Sequence, residues 1–209
     1  MKKSYSLWAV FGLVAVMIAV LLFVPITRQQ DSTVSFPEVR SDDHIKGATS
    51  SPVVLVEYLD FECEGCGAYY PVVKKLEEEF GDRVTFVARY FPLPSHRNAI
   101  PAALAAEAAG KQGKFWEMHN LMFENQKDWG EKPAETPEVF EGFAQELGLD
   151  MATFRADVAS PETRARVERD IAEAKQLGVN STPTFFLNGE RLRNPGSYEA
   201  MKALIEAKL

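Results

Sequence analysis

The chain has 209 residues, 30 of them acidic and 23 basic, for a formal charge of -7. That balance argues against a nucleic-acid partner, which would show as a basic surface, and otherwise speaks only to solubility. No internal repeat or low-complexity run is present, and the roughly 160 residues beyond the N-terminal segment suit one domain with a good-sized core.

Lys2 and Lys3 precede an uncharged stretch from Leu7 to Ile26. Twenty helical residues at about 1.5 Å each reach roughly 30 Å, the thickness of the hydrocarbon core of a bilayer. Trp8 lies near one end, where an interfacial aromatic sits, and the leading lysines predict an N-terminus on the cytoplasmic side. Residues 1–27 are therefore expected to be a retained signal-anchor transmembrane helix. A cleaved signal peptide is the competing reading, but its apolar region is usually shorter, and Val24-Pro25-Ile26-Thr27 offers no small-x-small cleavage site. Either way the rest of the chain is expected outside the cytoplasm, in a single-pass protein of the cell membrane. Residues 28–51 are polar, with Asp31, Ser32, Thr33, Ser41, Asp42 and Asp43, and read as a linker.

Residues 52–209 read as one α/β domain. Val53 to Leu59 is the near-continuous apolar run of a buried central strand. A helix follows, with Tyr69, Val72, Val73, Leu76 and Phe80 at helical spacing, Gly81 at its end and Pro71 inside, which predicts a kink. Val84 to Tyr90 is a second strand, and a crossover helix between two strands implies parallel pairing. From about 95 to 159 the signals are helical. An alanine-rich stretch closes at Gly110, a segment carries Phe115, Trp116, Met118 and Leu121, and Thr136-Pro137 opens another with Val139, Phe140, Phe143 and Leu147. Ser160-Pro161 opens a longer helix that stops at Gly178. Strands return at Thr184 to Leu187 and Glu190 to Leu192 around the hairpin signal Asn188-Gly189, and Ser197 caps a last helix.

The only two cysteines, Cys63 and Cys66, bracket Glu64-Gly65 directly after the first strand, with a helix starting at the first of them. Such a pair can switch between dithiol and disulfide, the outer sulfur facing solvent and the inner one shielded. Free amides at a helix N-terminus stabilise an anion, so Cys63 is the expected nucleophile. A purely structural disulfide is the plain alternative, although so short a loop restrains the unfolded chain by only roughly 2 kcal/mol. A zinc site wants four ligands, and His44, His96 and His119 show no paired metal-ligand spacing. Neither a metal nor a cofactor is expected.

Val54-Leu55-Val56-Glu57-Tyr58-Leu59-Asp60-Phe61 running into Cys63-Glu64-Gly65-Cys66, Phe115-Trp116-Glu117-Met118-His119, and above all Gly178-Val179-Asn180-Ser181-Thr182-Pro183-Thr184-Phe185-Phe186 resemble the DsbA-type thiol-disulfide oxidoreductases over roughly His44 to Leu209. The resemblance implies a thioredoxin-like fold with an inserted helical subdomain at about 95–159. It implies that Pro183 is cis against the CxxC, that the Thr182 backbone hydrogen-bonds an extended substrate segment, and that Glu57 is a buried acid relaying the proton of the inner thiol. Burial would raise the pKa of Glu57, whereas strand alternation could instead turn it outward. His119 and Trp116 are expected to pack or cap, and His96 to be a loop or helix-start residue. The chain departs from the family at Glu64-Gly65, where strong oxidants carry proline and histidine. Glu64, with Glu62 adding the same sign, should oppose the Cys63 thiolate by roughly half a pKa unit to two units and give a potential between those of strong oxidases and thioredoxin.

The expected function is an extracytoplasmic oxidase that forms disulfides in secreted or envelope proteins through Cys63 and Cys66, with Glu57, Thr182 and Pro183 in support and a membrane redox partner restoring the disulfide. A reductase fed by a membrane electron donor is the alternative, and a tethered, non-catalytic binding module is the alternative of another class. A monomer is the default.

Overall fold

The computed structural model describes residues 37–193 and 195–209. The expected transmembrane helix lies outside the described residues, and among these no helix is long and apolar enough to cross a membrane. The elements, in chain order, are β1 His44–Gly47, β2 Val53–Leu59, α1 Glu64–Phe80, β3 Val84–Tyr90, α2 Ala99–Lys111, α3 Phe115–Glu124, α4 Gln126–Trp129, α5 Pro137–Glu146, α6 Met151–Val158, α7 Pro161–Gln176, β4 Thr184–Leu187, β5 Glu190–Arg191 and α8 Tyr198–Glu206. The expected order of strand, helix, strand, helical insertion, helix, hairpin and helix is present.

One five-stranded sheet runs β1-β3-β2-β4-β5. β2 pairs parallel with β3, as a strand joined through the crossover helix α1 must, and antiparallel with β4. Buried on both faces, β2 sends Val53 and Leu55 into a core with Leu76 and Phe80 of α1 and Met201 and Ile205 of α8. Val56 and Tyr58 point the other way, into a core with Ala174 of α7. Period-two alternation thus sorts one apolar run onto two layers of helix. A third core, built on Leu59, Phe61 and Cys66, extends into the insertion through Met118, Met122 and Phe140.

The linker expected over 28–51 is corrected by the structure from its C-terminal side. His44–Gly47 forms β1, antiparallel to β3, with His44 opposite Ala88. Just before it, Asp43 meets Arg89 of β3, and the side chains of both are fully buried. Arg89 grips the Asp43 carboxylate with two nitrogens, at 2.9 and 2.6 Å, and donates to Glu173 of α7 at 2.9 Å and to the Tyr58 hydroxyl at 3.3 Å. Arg166 pairs with the buried Asp170 at 2.6 Å, and Arg40 pairs with the same carboxylate. Asp170 also accepts the backbone N–H of Tyr90 at 3.1 Å. This charge network ties residues 40–43 and α7 to β3.

Removing one member of a buried pair leaves the other charged and desolvated, at a cost of about 3–5 kcal/mol. R89M is accordingly expected to lower the free energy of urea unfolding by about that amount. K114M, which breaks the half-exposed Lys114–Glu117 pair, is expected to change it by no more than about 0.5 kcal/mol.

Candidate active site

β2 ends at Leu59, and Asp60-Phe61-Glu62 turns the chain into α1. Asp60 accepts the Cys63 N–H at 3.1 Å, and Cys63 stands at the N-cap of α1 without a capping side chain. Its sulfur is part-exposed, whereas Cys66 is fully buried and takes the Asp60 N–H on its sulfur at 3.4 Å. Both are thiols. Tyr58 of β2 lies opposite Thr184 of β4, so the strand pairing brings the residues before Thr184 alongside those after Leu59. The Thr182–Pro183 bond is cis, and Cys63 Sγ donates to Thr182 O at 3.4 Å. A Cβ on Gly65 would stand 3.3 Å from Pro183 Cδ, 3.4 Å from Thr182 O and 3.5 Å from Cys63 Sγ. Glycine therefore permits the close approach of this loop. Cys63, Cys66, Thr182 and Pro183 are brought together as expected.

The two sulfurs titrate in opposite directions. A hydrogen bond from the Cys66 thiol is the main cause holding the Cys63 pKa down to about 5; partial burial opposes it, and Thr182 and the N–H groups of Cys66 and Gly65 add to it. Burial pushes the Cys66 thiol well above its ordinary value, as do its bond to Cys63 and the negative charges of Glu57 and Cys63. One sulfur is a ready nucleophile and the other keeps its proton. A value of about 5 falls between those of DsbA, about 3.5, and thioredoxin, about 7. The cause expected for an intermediate potential, repulsion of the thiolate by Glu64 and Glu62, is not among the main ones acting on Cys63. Glu64 is exposed. Glu62 is buried and turned away, accepting the N–H of Asn98 at 2.6 Å and of Glu131 at 2.9 Å.

Glu57 shares the face of Leu55 and lines a cavity of about 20 Å³ with Leu55, Val73, Glu77, Trp116 and His119, space for about one water. Its residual exposure is intermediate. Burial, helped by the negative charge of Glu77, raises its pKa to about 8. It is therefore an inward-facing acid, protonated at neutral pH and felt by Cys66. Glu77 is paired to Lys46 of β1 at 2.6 Å. His119 packs edge-on against Phe61, Trp116 and Phe123, and burial lowers its pKa to about 4, so it stays neutral. Trp116 donates to Ile45 O at 3.0 Å. Both residues pack, and both border the cavity of Glu57.

Three further residues, Gln126, Asp60 and His96, shape the site. Gln126 of α4 donates its amide to Phe61 O at 2.7 Å and to Cys63 O at 2.9 Å, fixing two carbonyls of the turn. It approaches so closely that a Cβ on Gly67 would fall 2.2 Å from Gln126 Oε1. Asp60 and His96 meet at 2.7 Å, so His96 is more than the loop residue expected. Only the position of Asp60, an acid ending an apolar strand just ahead of the cysteines, could have drawn attention.

Two titrations check this electrostatic arrangement. The thiolate absorbance of the reduced protein near 240 nm should rise with a midpoint at about pH 5, and C63A should abolish that step. Glu57 in the folded protein keeps a proton that the unfolded chain has released, because about 8 lies above the ordinary 4.5. Its contribution to stability is therefore lost as pH rises through that window. E57Q should flatten the decline in urea midpoint between about pH 5 and pH 8.

A family model described as thioredoxin matches residues 40–207. Two curated relatives carry the name Na(+)/H(+) antiporter NhaA. The protein of Herminiimonas arsenicoxydans is 43% identical over 173 residues, covering 82% of this chain and 26% of that protein. The one of Salinispora arenicola is 40% identical over 164 residues, covering 78% and 24%. The chain thus spans about a quarter of these relatives, and the antiporter name is theirs. Among solved structures, oxidised BdbD from Bacillus subtilis superposes with a TM-score of 0.72 at 25% identity, over 79% of this chain and 92% of that one. The α-DsbA1 of Wolbachia pipientis gives 0.73 at 18% identity, over 81% and 92%. With a CxxC at the start of α1, a cis-proline loop against it and a helical insertion between β3 and α7, this chain belongs to the thioredoxin family.

Proposed function

We propose that the protein is an extracytoplasmic thiol-disulfide oxidoreductase that forms disulfides in secreted or envelope proteins, tethered by the apolar run Leu7 to Ile26. The observation that carries this is the asymmetry of the dithiol. Cys63 is part-exposed with its pKa held down to about 5, beside a buried Cys66 whose pKa is raised. A disulfide whose reduced form contains a stabilised thiolate is readily reduced by substrate thiols, and so oxidises them.

In the oxidised protein a substrate thiolate attacks Cys63 Sγ, the Cys63–Cys66 bond breaks, and Cys66 leaves as a thiolate. That anion is unfavourable where Cys66 lies, so it takes a proton, and Glu57 is the acid at hand. The second substrate thiolate then attacks the substrate sulfur of the mixed disulfide. A substrate disulfide forms and Cys63 departs as the thiolate its surroundings favour. Two electrons pass to the protein, and a membrane redox partner removes them. An extended substrate segment would lie against the Thr182–Pro183 loop, whose backbone reaches Cys63.

The test is the equilibrium potential in glutathione buffers together with refolding of a reduced, unfolded substrate. A potential of about -120 to -180 mV, with turnover abolished in C63A and mixed disulfides trapped in C66A, supports the oxidase. A value near about -270 mV turns the direction toward reduction. Full turnover in C63A would remove this mechanism, and a wild-type protein with no Cys63-dependent turnover would be a binding module only.

A further inference from the structure

Asp60 carries a second ionisable pair beside the dithiol that disulfide exchange as described does not use. Its side chain is fully buried and faces donors only. It accepts the N–H of Glu62 and of Leu93, each at 2.8 Å, and Nδ1 of His96 at 2.7 Å. Three N–H groups aimed at one carboxyl suit the carboxylate, since a protonated acid would add a fourth hydrogen to a site with no acceptor. The backbone of the same residue touches both cysteines, its N–H on Cys66 Sγ at 3.4 Å and its carbonyl on the Cys63 N–H at 3.1 Å. Asp60 thus joins the loop after β3 to the redox pair.

The two partners differ in access to solvent. Asp60 is sealed, whereas the His96 side chain is 21% exposed. With Nδ1–H held on the carboxylate, the imidazole gains and loses its second proton at Nε2. The hydrogen bond survives both states, and what changes is charge: the pair is neutral with His96 protonated and carries a single negative charge without that proton. The groups that bear on the imidazole are Asp60, Cys63 and Glu62, all in the β2–α1 turn. Partial burial disfavours the imidazolium, but these three acidic groups together hold it above its ordinary pKa. Coupling of this kind is reciprocal: a thiolate on Cys63 that favours the imidazolium is favoured by it in equal measure.

We propose that His96, held on Asp60, is a positioning residue whose imidazolium charge stabilises the Cys63 thiolate and so makes the oxidising strength of the dithiol fall more steeply as pH rises. Reduction of the disulfide delivers two electrons, leaving Cys63 as thiolate and placing one proton on Cys66. Because the new negative charge favours the imidazolium, reduction also draws a further fraction of a proton from solvent onto His96 Nε2. Oxidation releases it. Between the His96 pKa of the oxidised protein and the higher one of the reduced protein, the potential therefore falls more steeply with pH than Cys66 alone requires. This inference rests on the thiol-disulfide reading but not on the direction of electron flow.

The experiment uses the full chain in mild detergent. Proton NMR of the His96 ring across pH, in the oxidised and the reduced wild-type protein, needs no substitution. A higher His96 pKa in the reduced form is expected, and equal values overturn the proposal. Thiolate absorbance and glutathione potentials from pH 5 to pH 9 are then compared for wild type, H96Q and H96K. H96Q should raise the Cys63 midpoint and remove the steep segment of the potential. H96K, a cation throughout, should keep the low midpoint yet also lose the steep segment. A wild-type midpoint in H96Q, or H96K behaving as H96Q, overturns the role of the charge. A wild-type potential at the reducing end would reverse the direction of exchange proposed above, and the differences among the three proteins would still decide the role of His96.

Discussion

The antiparallel pairing of β2 with β4 is the constraint from which the site follows. β2 is held on both sides, by β3 and β4, and its residues are buried on both faces. A strand so enclosed has little freedom to slip, because a one-residue shift would exchange its two apolar faces. With Tyr58 fixed opposite Thr184, the loop ahead of β4 has to pass the turn after β2. The meeting of Cys63 with Thr182, 119 residues apart in the chain, is thus a property of sheet register, and the helical insertion is accommodated without disturbing it.

That register then divides the chemistry between two sulfurs about one helical turn apart. Cys63 receives the hydrogen bond of the Cys66 thiol first of all, with Thr182 and the amides of Cys66 and Gly65 near, so its anion is served. Cys66, one turn further in, sits among Leu59, Phe61 and Met118, where an anion is penalised. Neither acid that the sequence places beside Cys63 decides the outcome. Glu64 points into solvent, where charges are screened. Glu62 is occupied by the N–H groups of Asn98 and Glu131, so it serves to hold the insertion against the turn. Proximity in sequence is a poor guide to electrostatic effect when adjacent side chains point in different directions.

The same contrast marks what was legible beforehand. β2, α1, β3 and the Asn188-Gly189 hairpin could be read because apolar period and turn chemistry are local, and the Cys63, Cys66 and Thr182-Pro183 signals are short motifs. The inward direction of Glu57 follows from parity with Leu55 once β2 is known to be covered on both sides, a tertiary fact. β1 escaped notice because His-Ile-Lys-Gly at a sheet edge has no apolar period, and its partner is β3, some forty residues on. Arg89 within β3 looks like an exposed alternate residue. It is buried with Asp43 and Glu173 as partners, residues that lie far from it and from each other in the chain. Gln126 and His96 reach the turn across 63 and 36 residues, and nothing local marks either one.

The two glycines that flank Cys66 show how closely other elements approach the first turns of α1. A glycine inside a helix costs about 1 kcal/mol relative to alanine, and the first turns of α1 contain Gly65 and Gly67. The space left at each is filled from outside the helix, at Gly65 by the Thr182–Pro183 loop and at Gly67 by the Gln126 amide. The glycines on either side of Cys66 are thus met by the sheet register and by the helical insertion, while Cys66 itself is buried in the core that holds Leu59, Phe61, Met118 and Met122. The raised pKa of Cys66 comes first from that burial, so the insertion takes part in setting the difference between the sulfurs. It does so through Met118 and Met122 of α3, which share that core, a role for which residue chemistry at the cysteines gives no hint.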